Sequence, residues 1–475
     1  MTPGKIAYDM VALLPEKELK RIAADGEKIL DISGKTGEFA IALYKRYQKI
    51  EPKIDVSDLI LTIPTSSHAY EFTRKVYEAL GLNTNNIAEH FTAYDLIAVK
   101  NKNGEIDYER IKNLLTQKKP FNKITMNDKV TSKGKHMKIA AVIGNPPYQD
   151  QNGSGGTNDA PIYQYFAEMG KQISERNVSL IIKSGWFTAG RENLVGWFRH
   201  GMLTDGTVRS MVAYRDASEV FDTAEIKGGI CYYRLDKQYH GLCEYALKIK
   251  RDEPTSLQTR DLSEFADRGA FIRDPKISSI IKKVCAVADQ EGRGYAETLI
   301  SADTPFGIPT NPGESKKNPI ELRDVKAGDF NITLHYWKGS RRKVGYVRRT
   351  DIHKNAGDVG SVKVFVPKAG GAGSDPVVLG CPILAHKNSV CSQTFLYAKF
   401  DSELEATHFI SYLKTRLFRL LVSGMKVTQD ALSRVYRFVP LQDFTQEWTD
   451  AKLYAKYGIT KDEQKFIESM IKPME

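Results

Sequence analysis

Ile139-Ala140-Ala141-Val142-Ile143-Gly144-Asn145-Pro146-Pro147-Tyr148-Gln149-Asp150 decides how this chain is read. The apolar run from Ile139 to Ile143 has the composition of a buried strand, and it ends on two prolines that can neither continue a strand nor enter a helix interior. The strand must therefore stop at a rigid loop. Both rings fix φ, so the Asn145 amide, the Pro146 carbonyl and the Tyr148 ring are held out with little freedom. Asn145 offers a side-chain oxygen, Pro146 a backbone oxygen and Tyr148 a face for stacking. Together they suit a planar ring with an exocyclic amine, as in adenine. The competing reading is an ordinary Pro-Pro turn. With proline near 5% of residues, the four-residue string arises by chance in roughly one chain in a thousand of this size.

Outside this stretch, 475 residues are enough for two or three domains, and 41% hydrophobic with 27% charged residues describes a folded globular chain rather than a disordered one. The net charge of +11 points to a polyanionic partner, of which nucleic acid is one kind. The cysteines Cys231, Cys243, Cys285, Cys381 and Cys391 are odd in number and contain no Cys-x-x-Cys pair. That pattern suggests neither a disulfide framework nor a metal site, and makes a reducing cytoplasm the default. No apolar run reaches the ~18 residues of a membrane span, and the N-terminus lacks a signal core.

Upstream, Thr2-Pro3 reads as an N-cap and first-turn pair opening a helix with Ile6, Met10 and Leu13 on one face. Residues 27–44 read as a strand, a tight glycine turn and a helix, the first βα crossing of a nucleotide-binding α/β sheet. Ligands of such sheets sit beyond the carboxyl ends of the strands. Asp31, Ile32, Ser33, Lys35, Thr36, Gly37 and Phe39 are therefore expected to line a cofactor cleft. Lys35-Thr36-Gly37 lacks the spacing of a phosphate loop. Leu59 to Thr65 reads as the second strand, with no carboxylate at its tip; the nearest is Glu71. Residues 100–138, lysine-rich and polar, read as a mobile connection, and Gln149 to Asn158 as a flexible loop over the site. Alternating strands and helices to about residue 236 predict a single α/β sheet.

Asn145-Pro146-Pro147-Tyr148, preceded in order by Thr2-Pro3 and the loop from Asp31 to Phe39, resembles the γ-order N6-adenine DNA methyltransferases of restriction-modification systems, type IIG and other large methylases among them. The resemblance implies a Rossmann-like S-adenosyl-L-methionine-dependent methyltransferase sheet followed by a C-terminal mixed α+β target-recognition domain. It divides the chain into a catalytic domain at 1–240, a helical connector at 241–303, a target-recognition domain at 304–440 and a tail at 441–475. Asn145, Pro146, Pro147 and Tyr148 become the catalytic set. Thr2 and Pro3 hold the methionine carboxylate of the cofactor, and Phe91 stacks beside its adenine. The family pattern Asp-Pro-x-x-Gly-x-Gly-x-Phe is matched at Asp31, Gly37 and Phe39, while Ile32 stands for the proline and Lys35 for the first glycine. Implied partners are double-stranded DNA and a separate restriction nuclease or helicase subunit, with neither metal nor membrane.

Beyond residue 240 the composition changes. Residues 255–290 read as mainly helical, and 406–421 as one amphipathic helix. The stretch His335 to Arg349 sets Lys338, Arg341, Arg342, Lys343, Arg348 and Arg349 among aromatics, a mixture that tracks phosphates and stacks on bases. Arg416, Arg419, Lys426 and Arg434 are expected to extend that positive surface. Two other classes stay open: a methyltransferase acting on RNA or on a protein glutamine, and a catalytically silent DNA-recognition subunit.

Overall fold

In a computed structural model, residues 1–130, 136–150, 160–188, 192–197, 201–221, 226, 228–314, 319–370 and 375–474 are described. The loop expected over the site lies outside the described residues from 151 onward. The chain divides into two compact units, Met1–Phe271 and Ile272–Glu475. No helix among the described residues is long and apolar enough to cross a membrane.

The first unit runs α1 (Gly4–Ala12), α2 (Glu16–Asp25), β1 (Lys28–Gly34), α3 (Glu38–Ile50), β2 (Ile60–Pro64), α4 (Ser67–Leu80), α5 (Ala93–Ala98), α6 (Tyr108–Thr116), β3 (Ile139–Gly144), α7 (Tyr163–Ile173), β4 (Asn177–Lys183), α8 (Glu192–Trp197), β5 (Val208–Tyr214), β6 (Ile230–Asp236), β7 (Cys243–Lys248) and β8 (Gln258–Arg260). Its strands form one sheet in the order β2-β1-β3-β4-β6-β5-β7-β8. Strands β2, β1, β3 and β4 are parallel, whereas β6 runs antiparallel between β4 and β5. This is the α/β, Rossmann-like sheet expected, with two reversed strands, β6 inserted between β4 and β5 and β8 at the edge beside β7.

Burial on both faces explains why β3 is continuously apolar. Leu30, Ile32 and Val142 enter one core, while Ile29 and Ile143 enter the other. The chain leaves β1 to form β2 on one side and returns to form β3 on the other. The carboxyl ends of β1 and β3 therefore flank a topological switch point, where sheets of this kind open a crevice. Register places Asp31 beside Ile143, so the two loops singled out in the sequence leave the sheet side by side.

Three expectations need correction in this unit. Pro3, not Thr2, is the N-cap of α1 and makes no side-chain cap. Residues 100–138 are not simply a mobile connection, because Ile111, Leu114, Leu115, Phe121 and Ile124 are buried in the core. Within 255–290, only Pro275–Glu291 forms an α-helix, and Gln258–Arg260 instead pairs with β7.

The second unit is mixed α+β. Helix α9 (Pro275–Glu291) precedes β9 (Ile332–Lys338), β10 (Arg341–Val347), β11 (Val362–Pro367), β12 (Ile383–Ala385), β13 (Ser389–Cys391) and β14 (Phe395–Phe400). These make two three-stranded sheets, β10-β9-β13 and β12-β11-β14, around a core containing Phe306, Leu334, Val347, Phe365 and Phe395. Four helices follow: α10 (Glu403–Lys414), α11 (Arg416–Met425), α12 (Asp450–Lys456) and α13 (Lys461–Met470). The single helix expected at 406–421 is broken at Thr415, whose hydroxyl accepts from Phe418 N and caps α11.

Candidate active site

Midway along β1, Asp31 is fully buried and its Oδ1 accepts the amide of Ser33, near the strand's carboxyl end, at 3.1 Å. Asp31 Oδ2 and Ser33 Oγ are buried with no hydrogen-bond partner among the described residues. Burial pushes the Asp31 carboxyl well above the usual range, and the Glu38 charge adds to that push. The Lys35 ammonium is pushed down by its own burial, which the charges of Glu38 and Asp31 partly offset. Two uncommitted buried oxygens at a switch point call for an incoming polar group, because leaving them unpaired costs ~1–3 kcal/mol each.

Gly144 makes room for this arrangement. At φ +153°, a Cβ there would stand 3.0 Å from Ser33 Oγ and 3.1 Å from Asp31 Oδ1. Gly37 takes φ +72° as the N-cap of α3, and a Cβ on it would meet Val76 at 3.0 Å.

The residue after Gly144 is Asn145, 4% exposed, whose Nδ2 donates to Thr2 Oγ1 at 3.1 Å. With its nitrogen engaged, the amide oxygen is the end turned to accept. Thr2 N donates in turn to Glu38 Oε1 at 3.2 Å, and Thr36 donates to Glu38 Oε2 through both N and Oγ1, each at 2.9 Å. Pro146 and Pro147 are buried. Tyr148 is half-buried, and its hydroxyl is buried without a hydrogen-bond partner among the described residues. Its ring meets Tyr163 edge-on at 6.3 Å, and Lys183 Nζ, at the carboxyl end of β4, lies 5.9 Å from the ring centre. Desolvation holds the Tyr148 phenol far above its ordinary pKa, so it stays neutral.

The fold thus gathers Thr2, Asp31, Ser33, Thr36 and Asn145 at one end of the sheet. Ile32, Phe39 and Phe91 are buried in the cores instead, Phe91 edge-on to Phe121 at 6.3 Å. Glu38 and Lys183 were missed by sequence reasoning. Glu38 is an acidic residue in the first turn of α3, where it complements a helix dipole, and Lys183 is the polar end of β4, so neither position carries a local signal of function. Glu71 forms an exposed ion pair with Arg74 at 3.0 Å.

In the second unit, β9 and β10 form a hairpin through Gly339-Ser340, pairing Lys338 with Arg341, Trp337 with Arg342 and Tyr336 with Lys343. Arg341, Arg342 and Lys343 are exposed and have no ion pair among the described residues. Lys338 pairs with Glu314 at 3.1 Å, Arg348 pairs with Glu321, and Arg349 donates to the Ala356 carbonyl at 3.1 Å. The expected surface role fails for Arg419 and Lys426, which are 0% and 3% exposed and donate to backbone carbonyls, Arg419 to Lys414 and Val377 and Lys426 to Gly370 and Val378.

Residues 60–221 match the family model of the Eco57I restriction-modification methylase. A relative described as an uncharacterized adenine-specific methylase from Mycoplasma pneumoniae is 33% identical over 107 residues, which are 22% of this chain and a quarter (25%) of the relative. In fold, the chain is similar to a protein solved by cryo-electron microscopy as the DrdV–DNA complex. That likeness has a TM-score of 0.51 at 11% identity and covers 99% of this chain and 57% of the other. Over residues 60–221 the chain accordingly carries the sequence pattern of the Eco57I restriction-modification methylases.

Proposed function

We propose that the chain transfers the methyl group of S-adenosyl-L-methionine to N6 of adenine in double-stranded DNA, as part of a restriction-modification or related defence system. The observation that carries this reading is the Asn145 amide, held by Thr2 at the switch point where β1 and β3 end. Thr2, Pro3, Asp31, Ser33, Lys35, Thr36 and Gly37 would hold the cofactor, and the unpaired oxygens of Asp31 and Ser33 suit its polar groups. When bound, the cofactor supplies an electrophilic sulfonium methyl.

The chain's own part is alignment. Asn145 Oδ1 and the Pro146 carbonyl accept hydrogen bonds from the N6 amine, favouring a pyramidal nitrogen whose lone pair is no longer delocalised into the ring. Tyr148 replaces part of the stacking that a base loses when it leaves the duplex. Such positioning can supply several kcal/mol of the barrier, roughly 7–11 in well-oriented systems, without an acid or base. We assign target recognition to residues 304–440, with Lys338, Arg341, Arg342, Lys343, Arg348 and Arg349 contacting DNA. A separate nuclease or helicase subunit is compatible with this assignment.

The test is transfer of labelled methyl from S-adenosyl-L-methionine to unmethylated duplex DNA, with RNA and protein as competing acceptors. Label in DNA supports the reading, whereas label only in RNA or protein removes it.

A further inference from the structure

We propose that Glu38 is a positioning residue for methyl transfer, acting through Thr2 on the amide of Asn145. This rests on the role assigned to Asn145 above. The two carboxylate oxygens are divided between two loops: Oε1 accepts Thr2 N, while Oε2 accepts both N and Oγ1 of Thr36. Thr2 Oγ1 then accepts from Asn145 Nδ2. A path of hydrogen bonds, joined through the covalent frame of Thr2 between its N and its Oγ1, therefore runs from the loop after β1, through Glu38 and Thr2, to the loop after β3. Its members lie 36 and 143 residues apart in sequence.

Glu38, Thr2 and Asn145 are 9%, 4% and 4% exposed, so water does little to compete for these bonds. In such surroundings charge-assisted hydrogen bonds strengthen and reinforce one another. Only a carboxylate satisfies this position, because three donors converge on it from two directions and an amide has a single accepting oxygen. Thr2 has no side-chain role in capping α1, which leaves its hydroxyl to hold the Asn145 amide in one plane. Lining of the cofactor cleft by Thr36 would thereby be felt at Asn145, linking occupancy of one loop to the alignment of the other.

The isosteric variant E38Q separates the two arms. Its one oxygen serves best where two donors converge, at Thr36, and its NH2 then meets Thr2 N–H donor to donor. Steady-state methyl transfer to unmethylated duplex DNA, together with calorimetry against S-adenosyl-L-methionine, would be measured for the full chain and for E38Q, T2V, T2S and E38Q/T2V. We expect E38Q to lower kcat about ten- to a hundredfold with cofactor Kd and DNA KM within about threefold, since a small misplacement at an aligned site has that scale of effect. At saturating cofactor T2V should lower kcat by about the factor of E38Q, and T2S, which restores the hydroxyl, should recover kcat relative to T2V. In the T2V background E38Q should cost nothing further, whereas a merely structural loss at Glu38 would cost the same factor in both backgrounds.

An E38Q enzyme with wild-type kcat, an E38Q factor undiminished beside T2V, or a loss confined to cofactor affinity overturns the relay. Should E38Q fail to fold, T2V decides in its place, and undiminished kcat in T2V overturns it. A wild-type chain that transfers no methyl to DNA overturns the functional reading beneath it instead.

Discussion

The loop after β3 and the β9–β10 hairpin both present polar groups, but under opposite physical rules. Asn145 is buried and fixed by a hydrogen bond to another buried residue, whereas Arg341, Arg342 and Lys343 stand in solvent with no ion pair among the described residues. A buried polar group acts through position, and its loss is felt sharply at one step. Exposed cations act through summed charge, and each one's loss is modest and depends on salt. On this contrast, the proposed chemistry rests on a few atoms, while the proposed affinity for DNA is distributed over many.

The contrast breaks most readily at Asn145. Asn145→Ala should lower methyl transfer about a hundred- to a thousandfold, the scale seen when one preorganised polar group facing a transition state is removed. Cofactor binding by calorimetry should be nearly unchanged; equal loss of both would move Asn145 from substrate to cofactor. Gly144→Ala comes next, because its methyl would press on Ser33 Oγ and Asp31 Oδ1. A destabilisation of about 1–3 kcal/mol by denaturant unfolding, with weakened cofactor binding, is expected from such overpacking. A fully stable Gly144→Ala protein would mean that the two loops are not as closely apposed as the structure has them.

The hairpin sharpens the comparison from the other side. Replacing Arg341, Arg342 and Lys343 together by alanine should leave kcat at saturating DNA nearly intact. It should flatten the slope of log K against log salt by about 2–3 units, since each phosphate neutralised by a cation contributes ~0.9. An unchanged salt slope would take the hairpin off the DNA. The smallest effect belongs to Tyr148→Phe. The ring is retained and the hydroxyl removed has no hydrogen-bond partner among the described residues, so transfer should stay within about twofold and stability should not fall. A large loss of activity would give the hydroxyl a chemical role.

The sheet and the loops of the candidate site were legible where local sequence dictates geometry. The apolar run into Asn145-Pro146-Pro147 marks a strand that must end, and Asp31 to Gly37 marks a strand-turn-helix crossing. Burial of charge was not legible. Arg419 sits on α11 and Lys426 at its C-cap, where the pattern shows amphipathicity but not the distant carbonyls of Val377, Gly370 and Val378 that receive them. Thr415 looked like one more helical residue because the break it caps depends on Asp450, which accepts from the amides of Arg416 and Leu417 at 3.0 and 2.9 Å. Glu38 was missed for the same reason, since its partner Thr2 comes from the far side of β1 in sequence. Each of these is a long-range satisfaction of polar groups, which periodicity and spacing do not encode.

The most direct test of the central claim is nucleoside analysis of duplex DNA after incubation with S-adenosyl-L-methionine and either the wild-type chain or Asn145→Ala. N6-methyladenine formed by the wild type and absent with Asn145→Ala is the predicted result. Methylation at another base or atom, or N6-methyladenine formed equally by both proteins, would contradict it.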